Sequence, residues 1–159
     1  MIFVTTASVR VVGCKLLDSC VFPEYNKYSP DMKHPVYSTE LGIYTKGCGI
    51  KALNFAWGHD EYCYQVIGNH TEKLRKAGHS DLLSEEGLAM LRWHSAYPWH
   101  NKGEYEWAMA PGDEKLKAAV LSFNRFDLYT KADTRPDVPG LWPYYQALID
   151  KYLPGKISW

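Results

Sequence analysis

Three side chains of the kind that bind metal ions stand out, each within a dense pattern of aromatic and polar residues. They are His59 in WGHDEYCYQ, His94 in LRWHSAYPWH and Asp127 in FNRFDLYTK. Two imidazoles and one carboxylate form the ligand set of oxygen-activating iron sites and of some hydrolytic metal sites. Because each residue falls in a different predicted helix, a metal site is the first chemical hypothesis for this sequence.

Two of these residues also have an ordinary structural explanation. Asp127 continues an apolar helical face that includes Val120 and Phe123, where a carboxylate must be paired, hydrogen-bonded or bound to metal. His94 also extends an apolar face, where a histidine usually bonds a backbone carbonyl. From these patterns alone, a paired Asp127 and a histidine of the core are the commoner outcomes.

His59 is predicted to begin a helix directly after Gly58. The neighbouring Asp60 could hold a metal-bound imidazole, or it could only complement the positive end of the helix dipole. The remaining histidines fall in polar or loop contexts, and we expect them at the surface: His34, His70, His79 and His100.

The composition predicts one soluble globular domain and argues against several classes of partner. The chain has 159 residues, of which 46% are hydrophobic, and Lys+Arg 18 balances Asp+Glu 18. A balanced charge gives no field to attract nucleic acid, and no apolar run approaches the roughly 20 residues of a membrane helix. The four cysteines form no CxxC pair, which favours free thiols and a cytoplasmic location.

Periodicity and end signals predict a mainly α protein, with possible short strands near the N-terminus at Ile2–Val4 and Val9–Val12. Residues 23–37, with three prolines, predict an ordered loop. Ser84 is the expected N-cap of one helix, and Pro143 is the expected first position of the last. The predicted helices are Ile50–Ala56, Asp60–Ile67 ended by Gly68, Glu85–Ser95, Asp113–Tyr129, and Pro143 to about Pro154.

The longer segments resemble the myo-inositol oxygenase family, in its C-terminal half. The matching stretches are HPVYSTELGIY, CGIKALNFAWGHDEYCYQV, EEGLAMLRWHSAYPWH, FNRFDLYTK and PYYQALIDKYLPGKISW. They follow the family's order from about Gly13 to Trp159. The resemblance implies a single domain over residues 1–159, part of a helical HD-type domain, in which residues 1–12 diverge.

The resemblance also implies a function. The family binds two non-haem irons and uses O2 to cleave the ring of myo-inositol to D-glucuronate. Matched by motif, His59 and His94 correspond to the histidines on the substrate-binding iron, and Asp127 to the terminal carboxylate on the other. Ser95 and Lys131 correspond to substrate contacts, which places His94, Ser95 and Lys131 at the inositol.

This sequence departs from the family pattern on its N-terminal side. The family has a further histidine, a His-Asp pair and a lysine there, and the one HD dipeptide here, His59-Asp60, belongs to another motif. We therefore expect a truncated member, whether a fragment, a misplaced gene start or a decayed copy, with an incomplete iron site. Two alternatives stay open: a non-catalytic helical remnant, and a mononuclear site of His59, His94 and Asp127.

Overall fold

A computed structural model describes residues 10–20, 22–127 and 134–159, and these residues are mainly helical, as predicted. These described ranges contain four short 3-10 helices besides the α-helices, at Pro23–Tyr28, Pro30–Lys33, Ile50–Ala52 and Glu106–Ala108. The α-helices are α1 (His59–Lys76), α2 (Glu85–Trp93), α3 (Tyr97–His100), α4 (Asp113–Asp127) and α5 (Val138–Tyr152).

The predicted N-terminal strands do not form a sheet in the described part of the chain. Val11 forms an isolated antiparallel bridge with Phe55, and the Val12 N–H donates to the Asn54 carbonyl at 2.7 Å. This bridge ties the N-terminal segment to the residues just before α1. The other expected strand, Ile2–Val4, lies outside the described residues.

Helix α1 is longer than its sequence indicates, because Gly68 does not end it. The helix continues to Lys76 and buries Val66, His70 and Leu74, which recur every four residues along one face. A glycine inside a helix costs about 1 kcal/mol, and the burial of two large apolar side chains outweighs that cost.

Helix α5 begins five residues earlier than Pro143. The Asp137 side chain caps it by accepting a hydrogen bond from the Gly140 N–H at 3.1 Å, and Pro139 occupies its first turn. Pro143 therefore lies inside the helix, where its missing N–H leaves the Pro139 carbonyl without its usual intrahelical donor. The Asp137 cap and Pro139 in the first turn explain why α5 starts at Val138.

The core forms where α2 packs between α1 and α4. Ser84 caps α2 as predicted, accepting from the Gly87 N–H at 3.1 Å. Trp93, the last residue of α2, packs edge to face on Trp99 of α3 with ring centroids 5.5 Å apart, and both side chains are almost fully buried. This packing anchors the C-terminal end of α2 in the core. Among the described residues, no helix combines the length and apolar character that a membrane crossing requires.

Candidate functional site

His59 and His94 meet where the first turn of α1 passes the end of α2. Their Nε2 atoms are 3.0 Å apart, and their ring planes are inclined at 64°. His59 is the first residue of α1 and is exposed, whereas His94 is the C-cap of α2 and is half-buried. The pair is therefore open to solvent from the His59 side.

The two imidazoles are spaced as two ligands of one metal ion would be. Metal–imidazole bonds of about 2.0–2.1 Å at a right angle would place two nitrogens about 3 Å apart. Nδ1 of His94 lies 3.0 Å from the Leu91 carbonyl oxygen and 3.2 Å from that of Met90, so Nδ1 carries the proton. The Nε2 lone pair is then free to accept a metal, or to accept a hydrogen bond from His59.

Asp127 does not lie on a buried face, which corrects the expectation from periodicity. Along α4, Leu116 and Val120 are buried, Phe123 is half-buried, and Asp127 is exposed. The helix runs past the edge of the core, so its last turn meets solvent. The carboxylate has one polar side-chain neighbour, the Tyr97 hydroxyl, which lies 3.5 Å from its Oδ2 atom and can donate to it weakly.

Tyr97 contacts Asp127, and Phe123, on the same helix as Asp127, contacts His94. Burial, with a smaller contribution from the charge of Asp127, raises the pKa of the Tyr97 hydroxyl, so it remains a donor at neutral pH. The Phe123 ring stands one helical turn before Asp127 and packs edge to face on the His94 ring, with centroids 6.1 Å apart. Within the described ranges, however, no three His, Cys, Asp or Glu residues form a group that could hold one metal.

Of the two substrate contacts predicted from the sequence, Ser95 and Lys131, only Ser95 lies among the described residues. Ser95 follows His94 directly and is buried, with 9% of its surface exposed. Lys131 lies outside the described residues. The placement of a substrate beside these residues therefore stays a prediction.

Two histidines that we expected at the surface are buried. His100 is 3% exposed, and its Nε2 donates to the His94 backbone carbonyl at 3.1 Å. Burial lowers the pKa of His100, which keeps this imidazole neutral. His70 is 5% exposed and bonds the Pro154 carbonyl at 3.0 Å. Both lie in aromatic or helical patterns that could have indicated burial, whereas His34 and His79 are exposed as predicted.

Asp60 lies behind His59 in the first turn of α1. It is 1% exposed, and its Oδ1 atom accepts from the Glu61 N–H at 2.9 Å, while Oδ2 is buried without a partner among the described residues. A side chain at Gly58 would bring a Cβ within 2.9 Å of Oδ1, so this glycine makes room for the carboxylate. A supporting role toward His59 stays a prediction.

Sequence reasoning missed one polar pair beside the histidines. Arg92 donates through Nε to Glu61 Oε2 at 2.7 Å, and both side chains are nearly buried. The two residues lie on different helices, so no local pattern connects them. Their positions, each two residues from a histidine, would have been the one available signal.

Comparison with known proteins identifies relatives over nearly the whole chain. The family model for myo-inositol oxygenase matches residues 4–159. Inositol oxygenase of Danio rerio is 46% identical over 149 residues, which is 93% of this chain and 50% of that protein. The human inositol oxygenase is 45% identical over 93% of this chain and 49% of its own length. That of Dictyostelium discoideum is 41% identical over 98% and 50%.

The chain spans about half the length of the curated relatives it matches. The match nevertheless includes nearly all of this chain and each of the segments that carry His59, His94 and Asp127. The chain belongs to the myo-inositol oxygenase family.

Proposed function

We propose that this chain supplies the two-histidine part of an inositol oxygenase site, acting on myo-inositol and O2. The observation that carries the proposal is the approach of His59 Nε2 to His94 Nε2 at 3.0 Å, on two packed helices. The names of the family and of its relatives support the reaction. The free cysteines support a cytoplasmic setting, because thiols persist in a reducing compartment.

The proposed reaction breaks one ring C–C bond of myo-inositol. One oxygen atom of O2 enters the product, D-glucuronate, and the other leaves as water. Two non-haem irons, when bound, would supply O2 activation and Lewis acidity toward a substrate hydroxyl. The polypeptide's part is to hold, orient and surround the reactants.

Each named residue has a definite part in this proposal. His59 and His94 would bind one iron through Nε2, and the Asp127 carboxylate would bind the second. The Ser95 hydroxyl would hydrogen-bond an inositol hydroxyl, and the Lys131 ammonium would stabilise negative charge on a deprotonated hydroxyl. The Tyr97 hydroxyl, 3.5 Å from Asp127, would orient that carboxylate.

A chimaera tests the proposal. We would join the half of the Danio rerio inositol oxygenase that this chain does not match to residues 1–159, then measure iron content and O2-dependent glucuronate. We expect product from the unaltered chimaera, and loss of both iron and product in His94→Ala. Lys131→Ala should lower turnover and keep its iron, because Lys131 is a proposed substrate contact.

The control is His79→Ala, which removes an exposed histidine from the loop after α1. It should retain both iron and activity. The proposal is wrong if His94→Ala is as active as the unaltered chimaera. Iron loss in Lys131→Ala would show that this lysine has been given the wrong role.

A further inference from the structure

A buried ion pair joins α1 to α2 directly beside the histidine pair. Arg92 Nε lies 2.7 Å from Glu61 Oε2, and their side chains are 12% and 11% exposed. Glu61 is two residues after His59, and Arg92 is two residues before His94. The same two helix ends thus carry one pair of charges and one pair of imidazoles.

The ion pair is well satisfied on both sides. The second carboxylate oxygen of Glu61, Oε1, accepts from Gln65 Nε2 at 2.7 Å. The Arg92 guanidinium lies over the Tyr64 ring at 4.6 Å and beside the Trp93 ring at 5.3 Å. A planar guanidinium held by a carboxylate and two aromatic faces has little rotational freedom.

Stability alone does not explain such a pair. Taking two charges out of water is costly, and replacing a buried ion pair by apolar groups of similar size is often neutral or stabilising. What a buried pair does fix is geometry, because removing only one partner leaves an uncompensated charge. The Glu61–Arg92 pair therefore makes it unfavourable for α1 to slide along α2, because sliding would separate the two charges. The same motion would separate the two Nε2 atoms.

We propose that Glu61 and Arg92 are positioning residues that hold His59 and His94 at metal-binding separation. Gln65 and Tyr64 support the pair by fixing the carboxylate and the guanidinium. This inference rests on the proposed function, because it gives the ion pair a purpose only if the imidazoles share a metal. In this proposal neither residue is a metal ligand or a substrate contact.

Ni²⁺ binding to the purified 159-residue chain tests the inference, since imidazole sites bind Ni²⁺ more tightly than Fe²⁺. The main variant is the double change Glu61→Gln with Arg92→Met, which removes both charges and roughly keeps the volume. Its thermal midpoint should stay near that of the parent, while its calorimetric Ni²⁺ affinity falls about 10–100-fold. The visible spectrum of bound Ni²⁺ should also change.

A matched control uses the more accessible ion pair between Lys115 on α4 and Glu86 on α2, whose side chains are 75% and 25% exposed. The double change Glu86→Gln with Lys115→Met removes the same two charge types from an interhelical pair of the same bundle. We expect unchanged Ni²⁺ affinity and spectrum. A loss here equal to that in the main variant would mean that any interhelical charge matters, and would overturn the inference.

Two milder variants keep the test decisive if the main one does not fold. Arg92→Lys keeps the charge and loses the planar fork, and Gln65→Met removes an exposed donor to Glu61. Both should lower Ni²⁺ affinity by smaller factors, and parent-like binding in both would overturn the inference.

The histidine variant separates this inference from the proposed function. His94→Ala should abolish the same Ni²⁺ site. If His94→Ala binds as the parent does, the shared-metal site itself fails. If His94→Ala loses binding and the Glu61→Gln, Arg92→Met variant binds as the parent does, the positioning role alone fails.

Discussion

The Nε2 atoms of His59 and His94 lie 3.0 Å apart, although 35 positions separate the two residues in the chain. The contact exists because α1 begins where α2 ends, and because the Leu91 carbonyl, 3.0 Å from His94 Nδ1, holds that ring in one orientation. A pair so arranged presents one free imidazole lone pair toward the other ring. A cation bound between the two rings would therefore have imidazole ligands along one edge of its coordination shell.

Iron binding by the 159-residue polypeptide should be weak, and turnover should be absent. Two imidazoles supply one edge of a coordination shell, and affinity depends on ligand number and geometry. Given Fe(II), a reductant, O2 and myo-inositol, we expect substoichiometric iron that a chelator removes, and no glucuronate. Iron analysis after desalting and chromatography of the products check this, and glucuronate above the enzyme-free blank would contradict it.

Loss of the α2 cap should destabilise the fold measurably. Ser84→Ala removes the oxygen that accepts from the Gly87 N–H at 3.1 Å, at an expected cost of about 0.5–2 kcal/mol in the free energy of unfolding. Urea denaturation measures it. Ser122→Ala, at an exposed position within α4, is the control and should change stability by at most about 0.5 kcal/mol. Equal effects in the two variants would refute the capping role.

Asp113 should be a strong stabilising residue that takes no part in metal binding. Its Oδ2 atom accepts from the Ile50 N–H at 2.8 Å and the Ala110 N–H at 2.9 Å, joining the start of α4 to the core. Asp113→Ala should cost about 1–3 kcal/mol for each buried donor left unpaired. Asp113→Asn keeps an acceptor oxygen and should cost less in the same urea titration. A silent alanine variant would show that water replaces the carboxylate.

Helix α5 should make the purified chain bind hydrophobic dyes and associate with itself. None of its residues is buried, and Trp142 and Ile149, two turns apart on one face, are 57% and 43% exposed. Dye fluorescence and analytical ultracentrifugation measure the two effects. Trp142→Glu with Ile149→Glu should reduce both and leave the helical circular dichroism unchanged. A dye-free monomer at high concentration would show that this surface is inert.

Cys14 should resist thiol reagents in the folded state. It is 2% exposed, and burial raises its pKa from 9.0 to about 11, so the reactive thiolate is scarce. Because the folded pKa is raised, the stability that protonated Cys14 contributes is complete below pH 9. It is lost as pH rises toward 11. At pH 8, mass spectrometry after brief labelling should find Cys14 the least modified, and equal labelling of all four cysteines would contradict this.

Local patterns in the sequence determined the helical class and several of its details. Ser84, followed by two glutamates, predicts the start of α2 because capping is a short-range interaction, and the structure confirms it. The absence of CxxC pairs predicts free thiols, and all four cysteines are free. The sequence motifs around His59, His94 and Asp127 identified the family, which the family model confirms.

Tertiary packing alone decided the geometry of the site. The helical periodicity of α1 and of α2 does not specify that His59 meets His94. Nor does it specify that Glu61 forms an ion pair with Arg92. The exposure of Asp127 follows from how far α4 extends past its neighbours, which a helical face in sequence does not reveal. Local pattern fixes what each segment forms, because its forces act over a few residues. Which side chains share a site depends on contacts between segments distant in sequence, and those exist only in the folded chain.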